Sequence, residues 1–190
     1  GVLVELGGER PFLEMIGGGL DAETMWHRWL ASPSVRAHET GRLDSGSFAA
    51  AAVREFGLDV APDEFLAHFK GWLAGPFAGA DVLLDALRER HRTAILTNLS
   101  AVHWDIAASY GLFDRVERVF ASYRVGAIKP DRDFFEIALD TLGVDAADAV
   151  FLDDNLVNVE GARAAGIDSH VVRGIAQARE TLEALGLLPG

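Results

Sequence analysis

The residues with most chemistry to offer are two adjacent carboxylates, Asp153 and Asp154, reached by the apolar run Ala149-Val150-Phe151-Leu152 and followed by Asn155. Side chains alternate along a strand, so neighbouring acids at its end cannot share one face, and one of them points beyond the carboxyl edge of the sheet. That edge is where open α/β sheets bind ligands, and hard cations such as Mg²⁺ take carboxylate oxygen. The same pair can also open a turn and cap the helix that follows, as short acids do. Taken by itself, the run leaves both readings open.

Two further groups sit at the carboxyl ends of, or just beyond, other strands. Ala94-Ile95-Leu96 leads into Thr97-Asn98, a hydroxyl and an amide able to bond an oxyanion, or else the approach to a helix cap at Asn98 or Ser100. Gly126-Ala127-Ile128-Lys129-Pro130 holds a lysine on a fixed backbone just before a helix, where a lone lysine is ordinarily a surface charge. A hydroxyl, a lysine and an acid pair following successive strands together make a parts list for phosphoryl transfer. Cation and lysine neutralise the phosphoryl oxygens while the hydroxyl and nearby amides orient them.

From about Thr93 onward, short apolar runs alternate with amphipathic segments, the pattern of a parallel sheet covered by helices. Strands are predicted over 93–96, 117–121, 149–152 and 169–172, and helices over about 81–90, 102–110, 131–142, 157–165 and 175–186. The part from Leu20 to Leu73 shows helical patterns near 22–31, 46–56 and 62–73 and no convincing strand. Gly17-Gly18-Gly19 and Gly75-Pro76-Phe77-Ala78-Gly79 bracket it, so it reads as a helical insertion on two hinge-like connections. The expected division is a core of 1–15 and 76–190 with an insertion over 16–75.

With 190 residues, 49% of them hydrophobic, the chain can bury one substantial core and a smaller appended unit. Its formal charge of −12 repels a phosphate backbone and argues against nucleic acid as the main partner. A bound metal and local cations can still make a site attractive to a small anion. The absence of cysteine removes disulfides, thiolate metal sites and thiol nucleophiles, and suits a reducing cytoplasm. No apolar stretch approaches a membrane span, so no membrane partner is expected.

At these positions the chain resembles the haloacid dehalogenase superfamily, and the resemblance covers nearly all of it. Thr97-Asn98 looks like that family's second motif and Lys129-Pro130 like its third. The run Asp153-Asp154-Asn155-Leu156-Val157-Asn158-Val159-Glu160-Gly161-Ala162 looks like its fourth. The insertion is similar to the family's small helical cap, and His38-Glu39-Thr40-Gly41-Arg42-Leu43-Asp44 fits the small-cap sugar-phosphate and lipid-phosphate phosphatases. What the resemblance implies is a Rossmann-like parallel α/β core with helices on both faces, plus an α-helical cap. It further implies Mg²⁺ ligated by Asp154, with Asp153 in support near Lys129. Thr97 would bond the transferring phosphoryl, Lys129 would offset its charge and fix the nucleophile, and Asn98 and Asn158 would line the site. The implied activity is Mg²⁺-dependent hydrolysis of a small phosphorylated metabolite through an aspartyl-phosphate, by a monomer or homodimer. A metal-free haloacid dehalogenase is the alternative, disfavoured because an acid pair without a cation repels a carboxylate substrate. A non-catalytic phospho-ligand binder is another.

The pattern breaks at the start. The family's nucleophilic aspartate ends the central first strand in a motif of the form Asp-x-Asp-Gly or Asp-x-Gly-Gly, followed by Val-Leu-Val. This chain opens Gly1-Val2-Leu3-Val4-Glu5-Leu6, so Gly1 matches the last glycine of that motif and the nucleophile is expected upstream of it. A rival register makes Val2-Leu3-Val4 the first strand and Glu5 a substituted nucleophile; the longer side chain disfavours it, since in-line attack fails on a misplacement of about 1 Å. A parallel sheet lacking its central strand leaves two apolar edges unpaired, a slot into which Val2–Leu6 could slide. In the insertion, Trp26, Trp29, Arg36, His38, Glu39 and Trp72 have most to offer a ligand, against the alternative that aromatic residues at helical spacing pack a small bundle. His103-Trp104 either reaches the insertion or packs a helix start.

Overall fold

A computed structural model describes residues 1–16, 19 and 21–189. A short strand, β1 (Val4–Leu6), pairs antiparallel with β2 (Leu73–Pro76), Glu5 lying opposite Gly75. Between the two strands run α1 (Glu9–Met15), α2 (Ala22–Ala31), α3 (Pro33–Glu39), α4 (Ser45–Phe56) and α5 (Pro62–Lys70). Side-chain caps start three of these helices: Asp21 accepts from the Thr24 amide, Ser32 from Val35 and Asp44 from Ser47. Their buried faces meet in one aromatic cluster containing Phe12, Trp29, Phe48, Phe65, Phe69 and Trp72. The packing alternative therefore holds for most of the insertion's aromatic residues. His38 belongs to this cluster too, stacked 4.2 Å from Phe48 with its Nδ1 donating to the Leu43 carbonyl.

The rest of the chain alternates helix and strand. In order come α6 (Ala80–Arg88), β3 (Ala94–Thr97), α7 (Ala101–Ser109), β4 (Arg118–Ala121), α8 (Ser122–Val125), α9 (Arg132–Leu142), β5 (Val150–Asp153), α10 (Leu156–Ala164), β6 (Asp168–Val171) and α11 (Gly174–Ala184). β3 pairs with β4 and β5 with β6, both parallel, Thr97 standing opposite Ala121 and Asp153 opposite Val171. Each predicted strand is present, displaced by about one residue. Gly143, just past α9, takes φ of 63°, a left-handed backbone that a residue without Cβ adopts freely.

Among the described residues, β3 and β5 each have a strand partner on one edge alone. A cavity of about 1770 Å³ lies against both and is lined by every residue of each. Parallel strands covered on both faces are ordinarily buried throughout, whereas β3 is half-buried along its length and Val150 in β5 is 40% exposed. Among the described residues, an open slot thus lies beside β3 and β5.

Several expectations need correction. The helix predicted over 62–73 ends at Lys70, and the Gly75-Pro76 connection is strand, not hinge, because β1 supplies a partner for it. Gly75 takes φ of 137° there, which suits glycine. The other proposed hinge, Gly17-Gly18, lies outside the described residues. Val2–Leu6 does not enter the slot: Val2 packs with Leu83 and Val172, and Leu3 and Val4 pack with Ala80 and Leu84. Glu5 is exposed on an antiparallel ribbon, which removes the rival register.

Candidate active site

The carboxyl ends of β3 and β5 face the same cavity, and the candidate side chains gather there. Thr97 closes β3 and is half-buried against the cavity, and Asp153 closes β5 and is buried. Lys129 reaches both strands: its Nζ donates to the Leu96 carbonyl at 2.9 Å and to Asp153 Oδ2 at 2.6 Å. An ammonium has three N–H donors, so one remains for an anion in the cavity. The lysine is 6% exposed, and the expectation of a surface charge fails because a buried acid waits for it.

The supporting contacts explain how a long flexible side chain is held there. The Lys129–Pro130 peptide is cis, and the Asn98 side chain clamps the Lys129 backbone, accepting from its N–H at 2.9 Å and donating to its carbonyl at 3.0 Å. Asn98, expected to line the site, is thereby committed to positioning the lysine. On the other strand, Asp153 Oδ1 accepts from the Asn155 amide at 2.9 Å and from Asn158 Nδ2 at 3.0 Å. The turn and cap reading is partly right: Asp153 makes the turn, but the cap of α10 is Asn155, which accepts from the Val157 amide. Both oxygens of Asp153 are then occupied, which casts it as the support and leaves Asp154 as the acid available to a cation. Asp154 is half-buried and lies against the Gly1 nitrogen. Asn158 is buried, and its Oδ1 has no partner among the described residues.

Residues that the sequence reading passed over complete the arrangement. Ser122 Oγ accepts from the Leu99 amide at 3.0 Å and fixes the loop after Thr97. Gly161 lets α10 press on the lysine loop, since a Cβ there would lie 2.3 Å from the Pro130 carbonyl oxygen. Asp131, positioned as the cap of α9, spends its carboxylate on Arg36 of α3 instead. That ion pair is a polar tie between the helical unit and the α/β half. Another is His103, whose Nε2 donates to the Phe69 carbonyl of α5 at 2.7 Å; its neighbour Trp104 packs on Phe113 and Tyr123. Burial holds the His103 and His38 imidazoles below their ordinary range, so both are neutral donors in the folded protein.

Glu39, at the end of α3, also faces the cavity. Burial pushes its carboxyl up to about 7, against the lowering effects of the Trp29 indole that bonds it and of the Lys129 and Arg36 charges. The site therefore combines a buried ammonium, two acids at the end of β5 and a hydroxyl at the end of β3, with the buried Glu39 carboxyl facing them from the helical side. The ammonium, acids and hydroxyl can bind a tetrahedral anion beside a divalent cation.

Parallel β/α units, an inserted helical unit on a two-stranded ribbon and a lysine–aspartate pair at the strand ends define a hydrolase of the haloacid dehalogenase type. A family model for haloacid dehalogenase-like hydrolases matches residues 27–166, and the chain belongs to that family. It is 27% identical over 164 residues to phosphatase MT3486 of Mycobacterium tuberculosis, covering 84% of this chain and 76% of the relative. It is 37% identical over 109 residues to a plasmid phosphoglycolate phosphatase of Cupriavidus necator, covering 56% of this chain and 47% of the relative. Among solved structures, the HAD family enzyme bt-2542 of Bacteroides thetaiotaomicron, in complex with magnesium and inorganic phosphate, aligns with a TM-score of 0.69 at 23% identity, covering 91% of this chain and 90% of that one. L-2-haloacid dehalogenase of Xanthobacter autotrophicus aligns with a TM-score of 0.63 at 20% identity, covering 98% and 79%.

Proposed function

We propose that the chain carries the site of a Mg²⁺-dependent phosphatase acting on a small phosphorylated metabolite. The observation that carries this reading is the Lys129–Asp153 pair beside Asp154, opening on one cavity with Thr97. Asp154 and the unpartnered carbonyl oxygen of Asn158 are oxygen donors suited to Mg²⁺, which binds through one or two carboxylates and keeps waters and substrate phosphate for its remaining positions. Bound there, the cation would polarise the phosphoryl oxygens and offset their charge. Lys129 offers its free N–H to the same oxygens, the Thr97 hydroxyl orients them, and Asp153 holds the ammonium in place. The helical unit acts as a cap over the cavity and supplies the contacts to the leaving group.

The attacking aspartate belongs on a strand that fills the slot between β3 and β5, ending beside Gly1. Two parallel edges with no second partner among the described residues support that placement. The relatives named as phosphatases favour phosphoryl transfer, and Asp154 disfavours a dehalogenase on the same scaffold, because without a bound cation a carboxylate substrate would meet its negative charge.

The test is phosphate release from an aryl phosphate by the chain extended at Gly1 with an apolar strand ending in Asp-x-Gly. Release is expected with Mg²⁺, is abolished by EDTA, and is lost in Asp154→Asn while the fold survives, since Asp154 is part-exposed. Turnover indifferent to EDTA, or full activity in the variant, overturns the reading.

A further inference from the structure

On the helical side of the cavity two buried polar atoms lack partners among the described residues: Oε2 of Glu39 and Nε1 of Trp72. Each residue is 7% exposed, and both line the cavity that also holds Lys129 and Asp153. They flank Trp29, whose indole bonds the Glu39 carboxyl and whose ring centroid is 4.8 Å from that of Trp72. Above about pH 7, where Glu39 is ionised, one atom is an acceptor and the other a donor, so neither can satisfy a group that lacks the complementary function. Buried polar atoms of native proteins nearly always find partners, and two orphans facing one cavity point to a ligand that supplies them.

A neutral hydroxyl suits both atoms, giving its proton to Glu39 and accepting from Trp72. A carboxylate has no proton to give and meets the negative charge of Glu39. The half-buried Trp26 and Leu30 add apolar wall beside them, suited to the C–H face of a polyol or sugar. Arg36, the cation that could otherwise welcome an anionic leaving group on this side, is tied to Asp131.

We infer that Glu39 and Trp72 form the leaving-group subsite, selecting phosphate esters of uncharged, hydroxyl-bearing alcohols and rejecting those that carry a carboxylate. The inference rests on the phosphatase reading and narrows its substrate class. Glutamine at position 39 keeps the size of the side chain and removes the charge that repels the carboxylate.

Calorimetric titration of the 190-residue chain with Mg²⁺ at pH 8 tests it with two probes of one skeleton, 2-hydroxyethyl phosphate and 2-phosphoglycolate, alongside inorganic phosphate. The hydroxyl probe is expected to bind about tenfold or more tightly than the carboxylate probe. In Glu39→Gln that ratio narrows to within about threefold while affinity for inorganic phosphate stays within about twofold. Trp72→Phe keeps the ring and weakens only the hydroxyl probe. Equal binding of the two probes to the unaltered protein, which needs no variant to fold, overturns the inference, as does an unchanged ratio in Glu39→Gln. Failure of inorganic phosphate to bind would instead sink the phosphatase reading, and the subsite with it.

Discussion

Replacing Glu39 by glutamine is expected to stabilise the protein in mildly alkaline solution and to have a much smaller effect in acid. Burial carries this carboxyl from 4.5 to about 7, so the folded state holds its proton more tightly than the unfolded state does. The associated stability is fully present below pH 4.5 and is lost as pH rises through about 7. At about 1.4 kcal/mol for each decade of proton affinity, the loss is about 3 kcal/mol once the group is ionised. Glutamine keeps an oxygen for the Trp29 indole and never takes on the charge. His38 and His103, held low by burial, run the other way: their contribution is present above the ordinary imidazole range and lost as pH falls through it. Both proteins share that behaviour, so it cancels in their difference. Urea unfolding followed by circular dichroism at pH 5 and pH 8 is the assay. The advantage of the variant should grow by about 2–3 kcal/mol between the two, or about 5–10 °C in melting temperature for a chain of this size. A difference between the proteins that is the same at both pH values, to within about 0.5 kcal/mol, would refute the argument, because the burial cost of the charge is the only term that titrates differently between them.

Other perturbations bear on the same site. Lys129→Met leaves Asp153 buried without its cation and is expected to cost about 3–5 kcal/mol in urea unfolding; a cost under about 1 kcal/mol would show the pair to be incidental. His103→Phe preserves the ring packed on Phe69 but strips the donor from its carbonyl, for an expected loss of about 1–3 kcal/mol in thermal unfolding. Gly161→Ala should also destabilise, by about 1–3 kcal/mol, even though alanine is the better helix former, because the added methyl meets the Pro130 carbonyl; a stabilised variant would mean that α10 can shift away.

Much of the site was readable because its parts lie at strand ends. Thr97, Asp153 and Asp154 follow apolar runs whose length and β-branched content announce strands, Lys129 lies on the loop after α8, and the structure brings all four to one cavity. Asn98 was read as a ligand group because an amide at a strand end can serve either purpose, and only the fold reveals that the Lys129 backbone lies across from it. Glu39 was noticed but had no visible role, since its burial depends on how α3 lies against the strands, a relation set by Arg36 and Asp131 from opposite halves of the chain. The β1–β2 ribbon escaped notice for a similar reason: Leu73–Pro76 contains Gly and Pro, poor strand formers, and is strand because Val4–Leu6 pairs with it from 67 or more residues away. The short helices α1, α3 and α8 carry too few turns for periodicity to register, although Ser32-Pro33 is a legible start for α3.

The ribbon has one more consequence. Because β1 and β2 lie side by side, the chain leaves the α/β half and returns to it through two points a single strand spacing apart. Whatever is strung between those points can grow, shrink or change its lining without stretching the sheet that holds the lysine and the acids. Under the proposed function, choice of substrate and power to react fall to separable stretches of the chain, so that descent can alter the first while the second stands still.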